Sequence, residues 1–180
     1  VGAPWPKDNQ LNRAPGTRSF HAYVHVPFCE VRCGYCDFNT YTAQELGGVS
    51  QSSFHQHLIS EIAFSKKVLG EMPTLSSVFI GGGTPSLFTA EQIGAVLESL
   101  GESFGLASDC EVTLEANPES TTEEYLGEIV EVGIRRVSMG VQSFDSQVLQ
   151  TLDRQHDPER VAPLITAAKE LGLVTSVDLI

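Results

Sequence analysis

Apolar positions along the chain follow two rhythms, short β-prone runs and longer stretches with helical spacing. The short runs predict five strands, at residues 21–26, 76–80, 110–115, 136–141 and 174–180. The helical spacing predicts helices at about 51–70, after Thr89, and at about 122–132, 145–152 and 158–171. Strands that alternate with helices indicate βαβ units and a parallel sheet. Right-handed crossovers would wrap these units into an open sheet or a barrel-like arc.

The domain organisation follows from where these elements start and stop. Residues 1–19, rich in Pro, Asn and Gly, predict a flexible N-terminal segment, and residues 20–180 are expected to form one α/β domain. Residues 28–50 form a long predicted loop, which in a compact domain is usually functional. The last predicted strand reaches Ile180 with no helix after it. We therefore expect a domain that is incomplete at its C-terminus, as a piece of a longer protein.

Composition narrows the classes of function. The 180 residues are 41% apolar, and 11 Lys and Arg against 23 Asp and Glu give a net charge of −12. A chain this acidic lacks the positive charge that neutralises phosphates, so we expect no nucleic-acid partner. No stretch approaches the ~20 apolar residues of a transmembrane helix, and the N-terminus lacks the apolar segment of a signal peptide. We therefore expect a cytoplasmic protein, in which four cysteines do not form a disulfide framework.

Three of the four cysteines cluster in the long loop. Cys29, Cys33 and Cys36 form a C-x3-C-x2-C pattern. Thiolates are soft ligands that suit iron–sulfur clusters and zinc. Three of them can hold three irons of a cubane cluster and leave the fourth iron free to bind another molecule. The alternative is a tetrahedral zinc site completed by Asp37 or a histidine, and spacing alone leaves both open.

Polar residues follow the predicted strands at the ends where α/β folds place their active sites. They are Gly81, Gly82, Gly83, Thr84, Glu115, Asn117, Gln142 and Asp178. The glycine segment is either a tight turn or a place where the backbone approaches a small ligand closely. Glu115 and Asp178 lie in strands that otherwise have a buried pattern, so each carboxylate needs a partner.

Other polar residues favour plain structural roles. Arg154 and His156 follow a short predicted helix and are expected on the surface. His21 and His25 share one face of the first strand, where core packing is the default expectation. Cys110 is expected to be a small core residue.

Several segments together resemble the radical S-adenosylmethionine (SAM) family. They are Tyr23 to Cys29, the cysteine loop with Asp37 and Phe38, Phe79 to Ser86, Leu114 to Glu119, Ser138 to Phe144 and Val177 to Ile180. In combination they are similar to the oxygen-independent coproporphyrinogen III oxidase group, and more closely to its HemW-type heme chaperone branch. The resemblance covers about residues 21–180 and implies a partial (β/α) barrel, truncated after about the fifth strand.

This resemblance also implies a cofactor site. Cys29, Cys33 and Cys36 would hold a [4Fe-4S] cluster, whose open iron would chelate the amino and carboxylate groups of SAM. Reduction would then cleave SAM to methionine and a 5′-deoxyadenosyl radical. Tyr35 would lie over the adenine. The full set of implied SAM contacts is Tyr23, Tyr35, Gly82, Gly83, Thr84, Glu115, Gln142, Arg154 and Asp178.

One position bears on the branch within the family. The oxidases carry a further cysteine two residues after the third, and Phe38 occupies that place here. The resemblance therefore favours a heme chaperone, which binds heme and delivers it to hemoproteins. The heme-binding His-Asn-x-x-Tyr motif of that branch lies further along its members and is absent from this sequence. The alternatives are a coproporphyrinogen III oxidase, which decarboxylates its substrate by radical chemistry, and a structural zinc module.

The resemblance finally implies partners. A flavodoxin or ferredoxin would supply the electron, and because both those proteins and this chain are acidic, we expect a local basic patch near the cluster. Hemoproteins would accept the heme. Homodimerisation and peripheral contact with a membrane are left open.

Overall fold

The computed structural model describes residues 19–42 and 48–180, in which strands and helices alternate as predicted. The strands are β1 (Phe20–Val26), β2 (Leu75–Gly82), β3 (Leu106–Ala116), β4 (Arg136–Gln142) and β5 (Val174–Leu179). The helices are α1 (Gln51–Leu69), α2 (Ala90–Phe104), α3 (Glu123–Glu131), α4 (Ser146–Thr151) and α5 (Val161–Glu170). The flexible segment predicted at residues 1–19 lies, apart from Ser19, outside the described residues.

The five strands form one parallel sheet in the order β1-β2-β3-β4-β5. Each strand pairs in parallel with the next strand along the chain. This singly wound order is that of a (β/α) barrel, whereas doubly wound sheets reverse direction at a switch point. The prediction of an α/β partial barrel is confirmed.

The helices cover one face of the sheet and leave the other face free for the site. In β4, Val137, Met139 and Val141 are fully buried, whereas the alternate residues are half-buried. The buried residues of β1 to β4 pack with the helices into one core. Among its largest fully buried side chains are Phe28, Leu75, Ile80, Ile93, Leu114, Leu126, Ile129, Ile134 and Met139.

The same alternation overturns the expectation for the two histidines of β1. Val24 and Val26 are buried on the helix side, which places His21, Tyr23 and His25 on the opposite face. His21 is exposed and His25 is half-buried. Neither histidine packs in the core, because an odd-numbered position in this strand points away from the helices.

The observed start of α2 agrees with the predicted start, whereas the observed start of β3 differs from the predicted one. At the start of α2, Gln92 N–H donates to Thr89 Oγ1 at 3.2 Å and Thr89 N–H donates to Gln92 Oε1 at 3.0 Å, and this capping box explains why the helix begins after Thr89, as predicted. Strand β3 begins at Leu106, earlier than predicted, because Gly105 at a φ of 73° ends α2 and turns the chain directly into the sheet. Cys110 is partly buried at the edge of the core. No helix among the described residues combines the length and the apolar character that crossing a membrane requires.

Candidate functional site

A cavity of about 630 Å³ lies at the carboxyl ends of the strands and brings most of the predicted site together. All of the predicted site residues except Tyr23 line it. Tyr23 stands beside the cavity, 61% exposed, with its ring stacked on Phe79, a lining residue, at 6.1 Å between centroids. Its hydroxyl lies 3.1 Å from His25 Nδ1, and His25 Nε2 donates to the carbonyl of Asn39 at 2.9 Å.

The two ends of the cysteine loop are held together by core packing and by backbone hydrogen bonds. Phe28, 1% exposed, anchors it in the core and forms a β-bridge with Tyr41. Cys29 N–H donates to Tyr41 O at 3.0 Å, and Tyr41 N–H donates to Pro27 O at 2.7 Å. Burial raises the pKa of the Cys29 thiol, and the nearby hydroxyls of Thr84 and Thr40 oppose that rise. The loop therefore presents its half-buried cysteines to the cavity from a fixed base.

The glycine segment packs against that base, which explains its composition. Gly83 N–H donates to Val26 O and Thr84 N–H donates to Phe28 O, both at 2.7 Å. Gly82 has a φ of 120°, and a Cβ there would lie 2.8 Å from the Val26 carbonyl oxygen. A Cβ on Gly83 would lie 2.9 Å from the sulfur of Cys29. Side chains at these positions would push the cysteine loop away from β2.

The carboxylate of Glu115 has a hydrogen-bond partner, as its place in a buried strand predicts. Its Oε2 accepts a hydrogen bond from Gly82 N–H at 3.0 Å. Burial raises the pKa of Glu115, the hydrogen bond from Gly82 opposes this, and the charge of Asp178 adds to the rise. Asp178 itself is exposed and accepts a hydrogen bond from Ser138 Oγ at 3.2 Å. The expectation of a buried Asp178 is wrong because it lies on the face of β5 that no helix covers.

Arg154 is buried, which overturns the expectation of a surface residue. It is 8% exposed, and its Nη2 donates to Gly140 O at 2.6 Å and to Asn117 Oδ1 at 3.1 Å. Its Nη1 lies 3.9 Å from the sulfur of Cys33. Asp153, at a φ of 57°, turns the chain after α4 and directs Arg154 inward. The side chain of Arg154 thus bridges the end of β4 and the cysteine loop.

His156 is a buried residue that the sequence pattern assigned to the surface. Its side chain is fully buried, neither ring nitrogen has a hydrogen-bond partner, and Nδ1 lies 3.7 Å from Glu119 Oε2. Burial lowers the pKa of His156, and the nearby Glu119 opposes this. Glu119 also lies 3.4 Å from Arg154 Nη2. Glu119 therefore lies close to both Arg154 and His156, and the only sequence signal for this grouping was the position of these residues after β3 and α4.

Gln142 carries backbone strain at the end of β4. Its φ of 65° lies in the left-handed region, which a non-glycine residue adopts at a cost of ~1–3 kcal/mol. The strained residue lines the cavity, and its carbonyl accepts a hydrogen bond from Ile180 N–H at 3.0 Å. Such strain persists where the surrounding structure holds it, and it clusters at functional sites.

The lining of the cavity is predominantly acidic. Its charged residues are Glu30, Asp37, Glu115, Glu119, Asp153 and Asp178 against Arg32 and Arg154. Arg154 is buried, so among these lining residues Arg32 is the exposed cation. The expected basic patch near the cysteines is therefore not found around this cavity. A net negative lining instead attracts a cationic ligand.

The donor set of the loop suits an iron–sulfur cluster. Three thiols line one cavity, with the Thr84 hydroxyl 3.8 Å from the sulfur of Cys29 and the Arg154 guanidinium beside Cys33. Donors aimed at sulfur are typical surroundings of such clusters. Across residues 19–42 and 48–180, no three His, Cys, Asp or Glu side chains converge on a single-ion site. A cubane cluster does not need that convergence, because each cysteine binds a different iron.

Comparison with known proteins gives the family. The model of the radical SAM superfamily matches residues 23–180. The chain is 47% identical over 167 residues to the heme chaperone HemW of Mycobacterium tuberculosis, covering 92% of this chain and 42% of that relative. It is 40% identical over 168 residues to the mitochondrial radical S-adenosyl methionine domain-containing protein 1 of Bos taurus, covering 92% of this chain and 37% of that relative.

A solved structure agrees with these matches. The coproporphyrinogen III oxidase HemN of Escherichia coli superposes with a TM-score of 0.78 at 29% identity, covering 90% of this chain and 37% of that one. The chain spans about two fifths of the length of the curated relatives to which it was compared. The superfamily implies a [4Fe-4S] cluster and SAM as cofactors. The family model covers nearly all of the described domain, and the chain belongs to the radical SAM superfamily.

Proposed function

We propose that residues 20–180 are the radical SAM core of a heme chaperone. Cys29, Cys33 and Cys36 hold the [4Fe-4S] cluster, and the polar residues around them hold SAM. When bound, the cluster and SAM together supply one-electron radical chemistry. The observation that carries the proposal is that these three thiols and the polar ends of β2 to β5 meet around one cavity.

The cavity offers a partner for each part of SAM. The ring of Tyr35, 41% exposed, offers a face for adenine stacking. Burial raises the pKa of Tyr35 to about 12, so its hydroxyl stays protonated. Gly82 N–H holds one oxygen of Glu115, which leaves the other to accept from a ribose hydroxyl. The Arg154 guanidinium supplies the positive charge that suits a carboxylate.

The remaining predicted contacts complete the proposed shell. They are Tyr23, Gly82, Gly83, Thr84, Gln142 and Asp178. The backbone of the glycine segment can approach the methionine end because no side chain intervenes. The acidic lining complements the positive sulfonium of SAM. Both features support SAM as the ligand of this cavity.

The heme half of the proposal rests on the relatives and on one residue. HemW of Mycobacterium tuberculosis is named a heme chaperone. Phe38, 59% exposed, stands where oxidases of the group carry a further cysteine. We propose heme as a ligand of the whole protein, hemoproteins as acceptors, and a flavodoxin or ferredoxin as reductant in the cytoplasm. With Arg32 as the exposed cation of the rim, the reductant would dock by contacts other than a basic patch.

The first test is iron and sulfide analysis after anaerobic reconstitution, with electron paramagnetic resonance spectra of the reduced protein with and without SAM. About four irons per chain and a SAM-dependent change in the spectrum are expected. Zinc in place of iron would overturn the cluster and favour a structural zinc module. A normal iron content with no response to SAM would overturn the SAM site alone.

A second candidate function is coproporphyrinogen III oxidation, which the superposition on HemN favours. The two functions differ in their products. The full-length protein with SAM and reductant is expected to bind heme and to leave coproporphyrinogen unchanged. A vinyl product from coproporphyrinogen would overturn the chaperone proposal, whereas failure to bind heme without that product would overturn heme delivery.

A further inference from the structure

Asn117 joins two residues that each contact a cysteine sulfur. Its Nδ2 donates to Thr84 Oγ1 and its Oδ1 accepts from Arg154 Nη2, both at 3.1 Å. Thr84 Oγ1 lies 3.8 Å from the sulfur of Cys29, and Arg154 Nη1 lies 3.9 Å from the sulfur of Cys33. One amide side chain therefore links the surroundings of two of the three loop cysteines.

The direction of every donor in this chain of contacts is determined. A guanidinium has only N–H donors, so the oxygen of Asn117 must face Arg154. The amide NH2 then faces Thr84, whose oxygen accepts that hydrogen bond. The hydroxyl hydrogen of Thr84 remains free to donate to the sulfur of Cys29. At both ends, a hydrogen is aimed at a sulfur.

Asn117 is itself held rigidly. Its backbone N–H donates to Ser86 Oγ at 3.2 Å, and its carbonyl accepts from Thr121 Oγ1 at 2.8 Å and from Ser120 N–H at 3.1 Å. A Cβ at Gly140 would lie 2.9 Å from Asn117 Oδ1, so glycine there leaves room for the amide. A side chain fixed in this way preorganises the groups that it contacts.

We propose that Asn117 is a positioning residue that raises the reduction potential of the cluster by orienting Thr84 and Arg154 towards Cys29 and Cys33. This inference rests on the proposed cysteine ligands. Hydrogen bonds to cluster sulfurs stabilise the reduced state, which carries more negative charge, and outer-shell partners tune a metal site in this way. The bond from Asn117 also polarises the Thr84 hydroxyl and strengthens it as a donor.

The test is a redox titration of the reconstituted protein, followed by electron paramagnetic resonance. Asn117→Leu keeps the volume of the side chain and removes both polar atoms, and Asn117→Ala serves if the leucine variant does not fold. Either variant is expected to take up iron normally and to have a lower reduction potential than the wild type. Thr84→Val is expected to shift the potential in the same direction.

The matched control is Thr113→Val, which makes the same chemical change at a buried position of β3 outside the cavity lining. Its potential is expected to equal that of the wild type. The double variant Asn117→Leu/Thr84→Val is expected to shift the potential by less than the sum of the single shifts, because Asn117 acts partly through Thr84.

Three outcomes would contradict the inference, and they are distinguishable. A wild-type potential in both Asn117 variants with a normal iron content would overturn the role of Asn117 and leave the cluster assignment intact. A wild-type protein that takes up no iron would overturn the cysteine ligands and this inference together. Fully additive shifts would contradict a path through Thr84.

Discussion

The two faces of the sheet are built from the same strands, but one packs against the helices and the other lines the cavity. On the helix side, Leu114 is fully buried in the core of the domain. Its neighbour Glu115 points to the other side, where it accepts a hydrogen bond from the glycine segment and lines the cavity. Burying an aliphatic side chain contributes ~1.5–3 kcal/mol to stability, whereas a half-buried carboxylate adds little. Successive side chains of a strand point to opposite faces of the sheet, so residues that stabilise the fold alternate with residues that line the cavity. Substitutions on one face should therefore change stability, and substitutions on the other face should change cofactor binding.

The largest effect of a substitution is expected in the cysteine loop, which lines the cavity. Cys33→Ser should reduce the iron content after reconstitution to near zero, because the loop loses one of three soft ligands. The far-UV circular dichroism spectrum should be unchanged, since Cys33 lies outside the core. Cys110→Ser is the control, because Cys110 lies at the edge of the core and should leave the iron content normal. Full iron uptake by the Cys33 variant would contradict the ligand assignment.

A substitution in the core should instead lower stability and leave cofactor binding unchanged. Leu114→Ala is expected to lower the free energy of unfolding by about 2–5 kcal/mol, because it leaves a cavity in a fully buried site. Urea denaturation measures this loss. Below its unfolding transition, the variant should keep the affinity for SAM of the wild type. A large loss of SAM affinity in a folded Leu114 variant would break the separation between the two faces.

The next residue along β3 sharpens the comparison. Glu115→Gln should weaken SAM binding by about 10- to 150-fold, since a hydrogen bond to a charged acceptor is worth about 1.5–3 kcal/mol. Isothermal titration calorimetry on the reconstituted protein measures the change. An unchanged SAM affinity would remove Glu115 from the site.

The same variant should not lose stability. The pKa of Glu115 is raised in the folded state, so its ionised form is slightly destabilising at pH values above its pKa in the unfolded chain. Any gain in stability from Glu115→Gln should therefore be present at neutral pH and vanish in acid. A loss of stability at neutral pH would mean that the carboxylate supports the fold.

The smallest effect is expected at His156, behind the cavity. The pKa of His156 is lowered in the folded state, so the unfolded chain binds a proton first as the pH falls below about 6.5. Stability should fall from there towards the lower pKa of the folded state. The charged groups acting on the ring are Glu119, Arg154, Asp157 and Arg160, with the acids opposing the two arginines.

A substitution isolates this contribution. In His156→Gln, the decrease in melting temperature between about pH 7.5 and about pH 5.5 should be smaller than in the wild type, because no ring takes up a proton. His57→Gln is the control, since His57 is exposed on α1. Equal decreases in the wild type and the His156 variant would contradict a buried neutral histidine.

Local signals were enough for most of the fold. The capping box at Thr89 begins α2, and Gly70 and Gly105 follow the last residues of α1 and α2, so these helix ends depend on neighbouring residues. The βα rhythm predicted a parallel sheet because parallel strands need a crossover connection of this length. The start of β3 was missed by several residues, since no pattern within Leu106 to Asp109 distinguishes a strand from a loop.

The candidate site was predictable where it lies at strand ends and not elsewhere. Glu115 and Gln142 could be assigned to one edge because parallel strands share a direction. Arg154 and His156 could not be placed in this way, since their burial depends on the turn at Asp153 and on packing against the segment after β3. The family resemblance assigned Arg154 to the site, whereas nothing in the sequence other than its position near Arg154 indicated that His156 lies there.

By itself, the sequence determined the order of strands and helices, the parallel sheet and the three soft ligands in one loop, because spacing and residue chemistry act over a few neighbouring positions. Only the tertiary structure decided which face of β1 is covered, which polar residues are buried and how Asn117 connects Thr84 with Arg154. The physical reason is that these contacts join residues far apart in the chain. They exist only once the helices have covered one face of the sheet and the loops have met at its carboxyl edge.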